Sequence, residues 1–322
     1  MRLRIGTRGS QLALWQAHHV AGLLRGAGHD GTGHDVEIEV IKTTGDRLQE
    51  VTFAQVGTKG MFTQEIEEAL AGGRVDLAVH SLKDLPTELP EGFVLAAVPE
   101  RADARDVFVS EKYKRLADLP VGARVGTSSL RRRALLRAMR PERELREFRG
   151  NVDTRLRKLG DGLAEGILLA GAGLDRLGRT EWVRERMDVE RMTPAPGQGA
   201  LGIEARAGDT AVLGALAFLE DAATRFAVTA ERAALGGLGG GCQVPIGVHC
   251  RRLSADGDEG VYEILGAVGD PNGDVVIRAR QVGVAGEGAE VLGQKLAEEL
   301  MEMGAAGLIA AVSNFGASAG AR

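Results

Sequence analysis

Short apolar runs alternate with helically spaced apolar positions along the first 200 residues of the chain. The apolar runs predict strands at residues 3–5, 36–41, 75–79, 93–98, 107–109, 124–126, 145–148 and 167–169. Helical patterns between them predict helices, among them 11–25, 63–71 and 130–139. This alternation is typical of an α/β fold with a largely parallel sheet.

The pattern changes after about residue 220. A predicted helix at 221–235 leads to a glycine run, and strands follow near 244–252, 261–268 and 275–282. A helix at 288–303 and a last apolar strand at 308–312 complete a small α+β domain with an antiparallel sheet. Breaks at 99–106 and 193–199 indicate hinges between lobes.

Composition narrows the class of protein. Of the 322 residues, 44% are hydrophobic and 26% are charged, and no apolar run approaches the ~18 residues needed to span a bilayer. The first residues lack the features of a secretory signal, and two cysteines give no disulfide framework. We therefore expect a cytoplasmic protein without a membrane partner. The net charge of −5 argues against nucleic acid as a partner, and no cluster of histidine, cysteine and carboxylate predicts a metal.

Positive charge is nevertheless concentrated between residues 131 and 158, which hold ten arginines and one lysine against four acids. Glycine-containing turns at 6–10, 126–133 and 148–155 place arginines at predicted helix starts, and Ser10 is suited to cap the first of these helices. Arginine at a helix start opposes the helix dipole unless an anion lies between them, and free N–H groups there also bind anions. One such turn alone is more often a plain cap than an anion site. Three with arginine indicate anion sites.

Carboxylate is the anion that these turns favour. Arginine can bind a planar carboxylate through two parallel hydrogen bonds. Phosphate is the competing ligand, but the chain has neither a Walker loop nor a complete dinucleotide fingerprint.

A polar cluster at residues 80–84 follows the predicted strand 75–79 and is ended by Pro86. In open α/β sheets, ligands bind beyond the carboxyl ends of the strands, so Asp84 and Lys83 are placed to meet one. The alternative is that Asp84 belongs to an ordinary turn and His80 is a hydrogen-bonded core residue. The spacing is compatible with both interpretations.

Cys242 follows three consecutive glycines at 239–241, a flexible lead into a strand. A cysteine exposed there could be reactive. A buried cysteine would instead act as a small hydrophobic residue, and the residues alone favour this second interpretation.

Eight short segments, in order along the chain, carry a family resemblance. They are RIGTR at 4–8, KGMF at 59–62, VHSLKDLP at 79–86, VGTSSLRR at 125–132, RGNVDTR at 149–155, AGLDRLG at 172–178, PGQGA at 196–200 and GGCQVPIG at 240–247. Together they closely resemble the motifs of the hydroxymethylbilane synthases (porphobilinogen deaminases). So many ordered matches across most of the chain make the resemblance specific.

The resemblance implies an enzyme that joins four porphobilinogen units head to tail, with loss of ammonia, to give hydroxymethylbilane. It implies two doubly wound lobes of the periplasmic-binding-protein kind, at residues 1–99 with 200–219 and at 100–199. Residues 220–322 would form the α+β domain. It further implies a dipyrromethane cofactor, attached through a thioether to Cys242, and a monomer that needs no metal.

Residue roles also follow from the resemblance. Asp84 would be catalytic, stabilising the cation left by loss of ammonia. Cofactor-binding residues would be Lys59, Ser81, Lys83, Thr127, Ser129, Arg131, Arg132 and Arg155. Substrate-binding residues would be Arg8, Ser10, Arg149, Arg176 and Gln198.

Two other functions compete with this one. A non-catalytic two-lobe cytosolic binder of small carboxylates would explain the arginine turns but would give Asp84 and Cys242 no task. A transferase acting on a phosphorylated substrate would use the same turns for phosphate. A pyrrole adduct on Cys242 would exclude the first, and ammonia release from porphobilinogen without phosphate would exclude the second.

Overall fold

A computed structural model describes residues 1–26, 33–44, 63–239, 244–253, 260–270 and 275–318, with side chains up to residue 311 in the last helix. The strands are β1 (Arg2–Thr7), β2 (Asp35–Val40), β3 (Leu77–Ser81), β4 (Phe93–Ala97), β5 (Asp106–Val109), β6 (Arg124–Gly126), β7 (Glu144–Arg146), β8 (Gly166–Ala170), β9 (Val183–Arg186), β10 (Leu201–Arg206), β11 (Ile246–Arg252), β12 (Val261–Gly269) and β13 (Val276–Val284). The helices are α1 (Gln11–Gly26), α2 (Gln64–Ala71), α3 (Leu130–Met139), α4 (Val152–Gly160), α5 (Gly171–Arg176), α6 (Thr210–Leu216), α7 (Ala222–Gly237), α8 (Ala289–Glu302) and α9 (Ala305–Ser318).

The chain packs as two compact units. The first comprises Met1–Ala102 and Ala200–Arg225, and the second comprises Asp103–Gly199 and Phe226–Arg322. The second unit thus contains both an α/β sheet and the C-terminal sheet. A division of the chain into three domains stays a prediction.

The first unit is built on a five-stranded sheet of order β2-β1-β3-β10-β4. Strands β1, β2 and β3 are parallel, whereas β10 runs antiparallel to both β3 and β4. One face of the sheet packs against α1 and α6 through a core that includes Leu3, Ile5 and Leu24. Ile66 and Leu70 of α2 pack on the opposite face. Apolar burial on both faces explains why the central strand β3 reads as a nearly continuous apolar run.

The second unit contains a sheet with the equivalent strand order, β7-β6-β8-β5-β9. Again three strands are parallel, and the fourth, β5, runs antiparallel to its neighbours β8 and β9. Helix α3 covers the face that carries Phe108 and Leu168. Helices α4 and α5 cover the other face. The predicted α/β class is confirmed for both sheets.

The C-terminal sheet is antiparallel, with the order β11-β12-β13. One face packs on α7, α8 and the start of α9 around Leu296 and Leu300. Ala267 of β12 joins the core that contains α3, which is why this sheet belongs to the same compact unit as the second α/β sheet. The predicted antiparallel C-terminal sheet is confirmed.

The last apolar segment was predicted wrongly. Residues 308–312 were expected to form a strand, but they lie inside helix α9 (Ala305–Ser318). A short apolar run has no period that separates a strand from a buried helix, and here the alanines at 305, 306, 310 and 311 favour the helix. Among the residues described, no helix is long and apolar enough to cross a membrane.

Gly126 tests the packing of the second sheet. A Cβ atom at this position would lie 2.5 Å from the ring of Phe148 and 2.9 Å from Ile167. We expect Gly126→Ala to lower the free energy of unfolding by about 1–3 kcal/mol because the buried ring must shift. Gly208→Ala is the control, since no atom lies within 4 Å of its Cβ position. Equal midpoints for the two variants in denaturant titrations would contradict this packing.

Candidate functional site

The carboxyl ends of β1 and β3 lie at the same edge of the first sheet because the two strands are parallel neighbours. Arg8 and Ser10 follow β1, and Lys83 and Asp84 follow β3. The sheet therefore brings the first arginine turn and the polar cluster 80–84 to one edge. The equivalent edge of open α/β sheets is where ligands bind.

Ser10 caps helix α1, as predicted. Its Oγ accepts a hydrogen bond from the Ala13 N–H at 3.3 Å, and Thr7 Oγ1 donates to the Ala13 carbonyl at 3.2 Å. A serine at this position satisfies an N–H group that the helix leaves unpaired. Arg8 is half-buried in the same turn.

Asp84 lies in a single 3-10 turn, Leu82–Asp84, and its side chain is exposed. Leu82 and Leu85 on either side are buried and anchor the turn in the core. Lys83 is half-buried. An exposed carboxylate on an anchored turn can meet a ligand without a rearrangement of the backbone.

Side chains of α1 and β10 fix Ser81 and His80, the residues just before this turn. Gln16 of α1 is buried and donates from Nε2 to Ser81 Oγ at 2.8 Å. His80 Nε2 lies 3.0 Å from Glu204 Oε2 of β10, and both side chains are buried. His80 is thus a hydrogen-bonded core residue, which was one of the two interpretations that its spacing allowed.

The parallel strands β6, β7 and β8 direct three loops to one edge of the second sheet. After β6, Thr127 Oγ1 accepts from the Ser129 N–H at 3.3 Å, and Ser129 caps α3 by accepting from the Arg132 N–H. After β7, Asn151 caps α4 by accepting from the Thr154 N–H at 2.9 Å. The predicted turns at 126–133 and 148–155 therefore cap helices, and they lie next to each other along one edge of the sheet.

Arg131 and Arg132, in the first turn of α3, are buried and share one carboxylate. Arg131 Nη1 donates to Asp106 Oδ2 at 2.6 Å. Arg132 donates to Asp106 Oδ1 from Nε at 3.0 Å and from Nη2 at 2.8 Å. Asp106, the first residue of β5, is fully buried. The anion that two arginines at a helix start require is thus supplied by the protein itself.

The charge state of Asp106 follows from this geometry. Burial alone would raise the pKa of its carboxyl, but Arg131 and Arg132 outweigh that effect and hold the pKa well below its ordinary value of 3.8. Because the pKa is lowered on folding, ionised Asp106 stabilises the fold fully above that value. The contribution is lost progressively as the pH falls below it.

Further hydrogen bonds complete the cluster. Arg131 Nη1 also donates to the Thr193 carbonyl at 2.7 Å, and Arg132 Nη1 donates to the Leu168 carbonyl at 3.2 Å. Gln198, only 1% exposed, donates from Nε2 to the Ala104 carbonyl at 2.7 Å and to Asp106 Oδ1 at 2.9 Å. The Asp106 cluster, as we call Asp106, Arg131, Arg132 and Gln198, thereby joins β5, α3 and residues 193–199.

The other predicted arginines lie closer to the surface of the second unit. Arg149 is paired with Glu147, with Nε 2.8 Å from Oε1. Arg155, in α4, is half-buried. Arg176 ends α5 and donates to the Gly199 carbonyl at 2.6 Å. Burial lowers the pKa of Arg176 to about 10, an effect that Asp175 opposes, so its guanidinium remains cationic at neutral pH.

Capacity for another anion remains at the start of α3. One carboxylate against two guanidinium groups leaves one positive charge. Arg131 donates all of its hydrogen bonds to described residues from Nη1. Its Nε and Nη2 can therefore donate to a further acceptor. The buried Nε of Arg133 also has no partner in the described part of the chain. These donors fit a carboxylate-bearing group.

Sequence reasoning did not identify the buried acids of the second unit, among them Asp106 and Glu231. Glu231 of α7 is fully buried, and its carboxylate accepts from the Gly197 N–H and the Cys250 N–H, each at 2.7 Å. A signal was present for Glu231, because an acid on the same helical stripe as Ala227, Ala230 and Ala234 must be buried with partners. Asp106 carried no comparable local signal.

Lys59 and Cys242 lie outside the described residues. Of the two cysteines, Cys250 is described, and its thiol is buried in β11. Within the described ranges, no group of three or more histidine, cysteine or carboxylate side chains could hold a metal ion.

The fold and these two edges define a protein of two α/β sheets, each with cationic, polar turns at the carboxyl ends of its parallel strands. Two family models match the chain. "Porphobilinogen deaminase, dipyromethane cofactor binding domain" matches residues 3–214, and "Porphobilinogen deaminase, C-terminal domain" matches residues 225–302. The chain belongs to the porphobilinogen deaminase family.

Individual relatives agree with the family match. The porphobilinogen deaminase of Roseiflexus castenholzii is 50% identical over 96% of this chain and 98% of its own. That of Sulfurimonas denitrificans is 45% identical over 96% of both chains. Among solved structures, a periplasmic substrate-binding protein of an ABC transporter from Coxiella burnetii has 16% identity and a TM-score of 0.42, covering 69% of this chain and 94% of that one.

Glu231 offers a test of how the second unit is held together. We expect Glu231→Gln to lower the free energy of unfolding by about 1–3 kcal/mol, because an amide has one acceptor oxygen for two buried N–H groups. Glu302→Gln, on the exposed face of α8, removes the same charge and should change little. Chemical denaturation of both variants is the measurement, and indistinguishable midpoints would remove Glu231 from this role.

Proposed function

We propose that this chain polymerises four molecules of porphobilinogen head to tail, releasing ammonia at each addition, and yields hydroxymethylbilane. The observation that carries the proposal is the match to porphobilinogen deaminase over nearly the whole chain, at 45–50% identity to the relatives named above. The polar edges of the two sheets support it, because a substrate with an acetate and a propionate on every pyrrole needs many cations. We further propose a cytoplasmic monomer that uses no metal and has neither nucleic acid nor membrane as a partner.

The family cofactor is a dipyrromethane, and we propose that Cys242 holds it through a thioether. When bound, the dipyrromethane supplies the end onto which the first substrate pyrrole is joined. Arg131 is suited to hold one of its carboxylates, since Nε and Nη2 are not used by Asp106 or Thr193. The other residues proposed to bind the cofactor are Lys59, Ser81, Lys83, Thr127, Ser129, Arg132 and Arg155.

Substrate carboxylates are assigned to residues at the same two edges. Arg8 and Ser10 follow β1, Arg149 follows β7, and Arg176 ends the helix that follows β8. Arg8, Ser10, Arg149 and Arg176 are half-buried, whereas Gln198 is buried. Gln198 therefore contributes to the site through Asp106 and Arg132, to which it is hydrogen-bonded.

Asp84 is assigned the chemical step. Loss of ammonia from porphobilinogen leaves an electron-poor azafulvenium cation, and a fixed carboxylate beside it lowers the energy of the developing positive charge. The buried flanks of the turn, Leu82 and Leu85, hold Asp84 in place before the reaction begins. The same carboxylate can accept a pyrrole proton.

Attachment of the cofactor is tested by mass. We expect Cys242→Ser to give a folded protein that lacks the two-pyrrole adduct and nearly all activity. Cys250→Ala should keep both, because Cys250 is buried in β11. The intact mass of each purified protein is the measurement. An adduct on Cys250, or activity without Cys242, would show that the attachment site is wrong, and a wild-type protein with no adduct would point to a simple carboxylate binder.

Asp84→Asn separates binding from chemistry. The amide keeps the shape of the side chain but removes its charge, so the variant should carry cofactor and bind substrate. Turnover should fall by at least ~100-fold, the scale for loss of one preorganised electrostatic group. Glu88→Gln, an exposed acid of the same loop, is the matched control and should react at the wild-type rate. Near-normal turnover in Asp84→Asn would make Asp84 a turn residue only.

A further inference from the structure

We propose that Asp106 is a positioning residue for cofactor assembly, which orients Arg131 and Arg132 before any carboxylate of the cofactor arrives. This inference rests on the proposed function only in taking these arginines as part of the cofactor site. It adds a residue that lies outside the eight motifs and that no feature of the sequence singled out.

The geometry divides the carboxylate of Asp106 between the two arginines. Oδ2 accepts from Arg131 at 2.6 Å, and Oδ1 accepts from two nitrogens of Arg132, at 3.0 and 2.8 Å. Each guanidinium is planar, so contacts of this kind fix its direction as well as its distance. A guanidinium held in this way loses little conformational freedom when it binds a further carboxylate.

Asp106 is itself held firmly. It begins β5, where it is paired with Ala170 of β8, and its carbonyl accepts from the Met187 N–H at 2.8 Å. Gln198 donates to its side chain at 2.9 Å. The sheet therefore holds the carboxylate in place. The hydrogen bonds that Arg131 and Arg132 donate to it restrict the positions of both guanidinium groups.

Charge balance gives a second reason for this arrangement. Arg131 and Arg132 are 3% and 5% exposed, so without Asp106 two like charges would lie side by side with little water. They would repel each other and move apart. With Asp106 present, the cluster keeps one net positive charge, enough to attract a carboxylate and low enough to remain buried.

The cluster also has a link towards the segment that precedes Cys242. Gln198 lies next to Gly197, whose N–H donates to Glu231 of α7 at 2.7 Å. Helix α7 ends at Gly237, five residues before Cys242 in sequence. Residues 193–199 therefore connect the arginine pair and the base of the cysteine segment within one compact unit.

The test follows cofactor loading in apoprotein. Apoprotein is incubated with porphobilinogen, and conversion to the two-pyrrole form is followed by intact mass, beside the thermal midpoint of the apoprotein. We expect Asp106→Asn to load at least tenfold more slowly than wild type at a temperature where it is folded. Asp161→Asn, an exposed acid of the same unit, should load at the wild-type rate.

A double variant shows whether Asp106 acts through the arginines. If it does, Asp106→Asn combined with Arg131→Gln should load no more slowly than Arg131→Gln alone. Independent, multiplicative defects would overturn the proposal. So would a lowered thermal midpoint in Asp106→Asn accompanied by loading at the wild-type rate, because that is the result of a purely structural role.

Asp106→Glu keeps the test decisive if the asparagine variant does not fold. It retains the charge and displaces the carboxylate by one methylene, so it should fold and load measurably more slowly. Wild-type loading by this variant would overturn the proposal. If wild-type apoprotein itself neither loads nor releases ammonia, the proposed function fails instead, and the two failures are thereby distinguished.

Discussion

A single buried carboxylate balances two buried guanidinium groups at the start of helix α3. Asp106 is fully buried, and its two oxygens accept from Arg131 and Arg132 at 2.6–3.0 Å. Removal of one partner from a buried pair costs about 3–5 kcal/mol, because the remaining charge lies in a medium that cannot solvate it. The three residues therefore depend on one another. Through carbonyl groups of Leu168 and Thr193 they also set where α3 meets the rest of its unit.

The two α/β sheets have the same arrangement of strands and place their polar turns at the equivalent edge. In both, three parallel strands are followed by an antiparallel fourth strand, β10 in one sheet and β5 in the other. Parallel strands direct their following loops to a common edge, and there the chain places helix caps together with charged side chains. Asp84 occupies this edge of the first sheet, and arginines occupy it in the second. One architecture thus carries an exposed carboxylate at this edge in one unit and arginine side chains at the equivalent edge in the other.

Two buried acids, Asp106 and Glu231, hold together two separate parts of the second unit. Asp106 orders the arginines, while Glu231 joins α7 to residue 197 and to β11 by accepting two backbone N–H groups. A carboxylate with both oxygens satisfied by N–H donors stabilises a junction that apolar packing alone would leave free to slide. Helix α7 ends at Gly237, five residues before Cys242 in sequence. Buried carboxylates thus fix both the arginine pair and helix α7 by the same kind of interaction.

Local pattern was sufficient to predict most strands, the cap formed by Ser10, the placement of Asp84 at a strand end, and the family to which the chain belongs. These features depend on residues that are close in sequence, and a periodic pattern records which side of an element is buried. It failed at residues 308–312, where a short apolar run has no period that distinguishes strand from helix. Only tertiary structure could show that Asp106 meets arginines 25 and 26 residues away, or that Glu231 meets Gly197 at a separation of 34. Which buried polar groups become partners depends on how β5 lies against β8 and beneath α3. No local spacing records that arrangement, because it is the packing of whole elements that brings those atoms together.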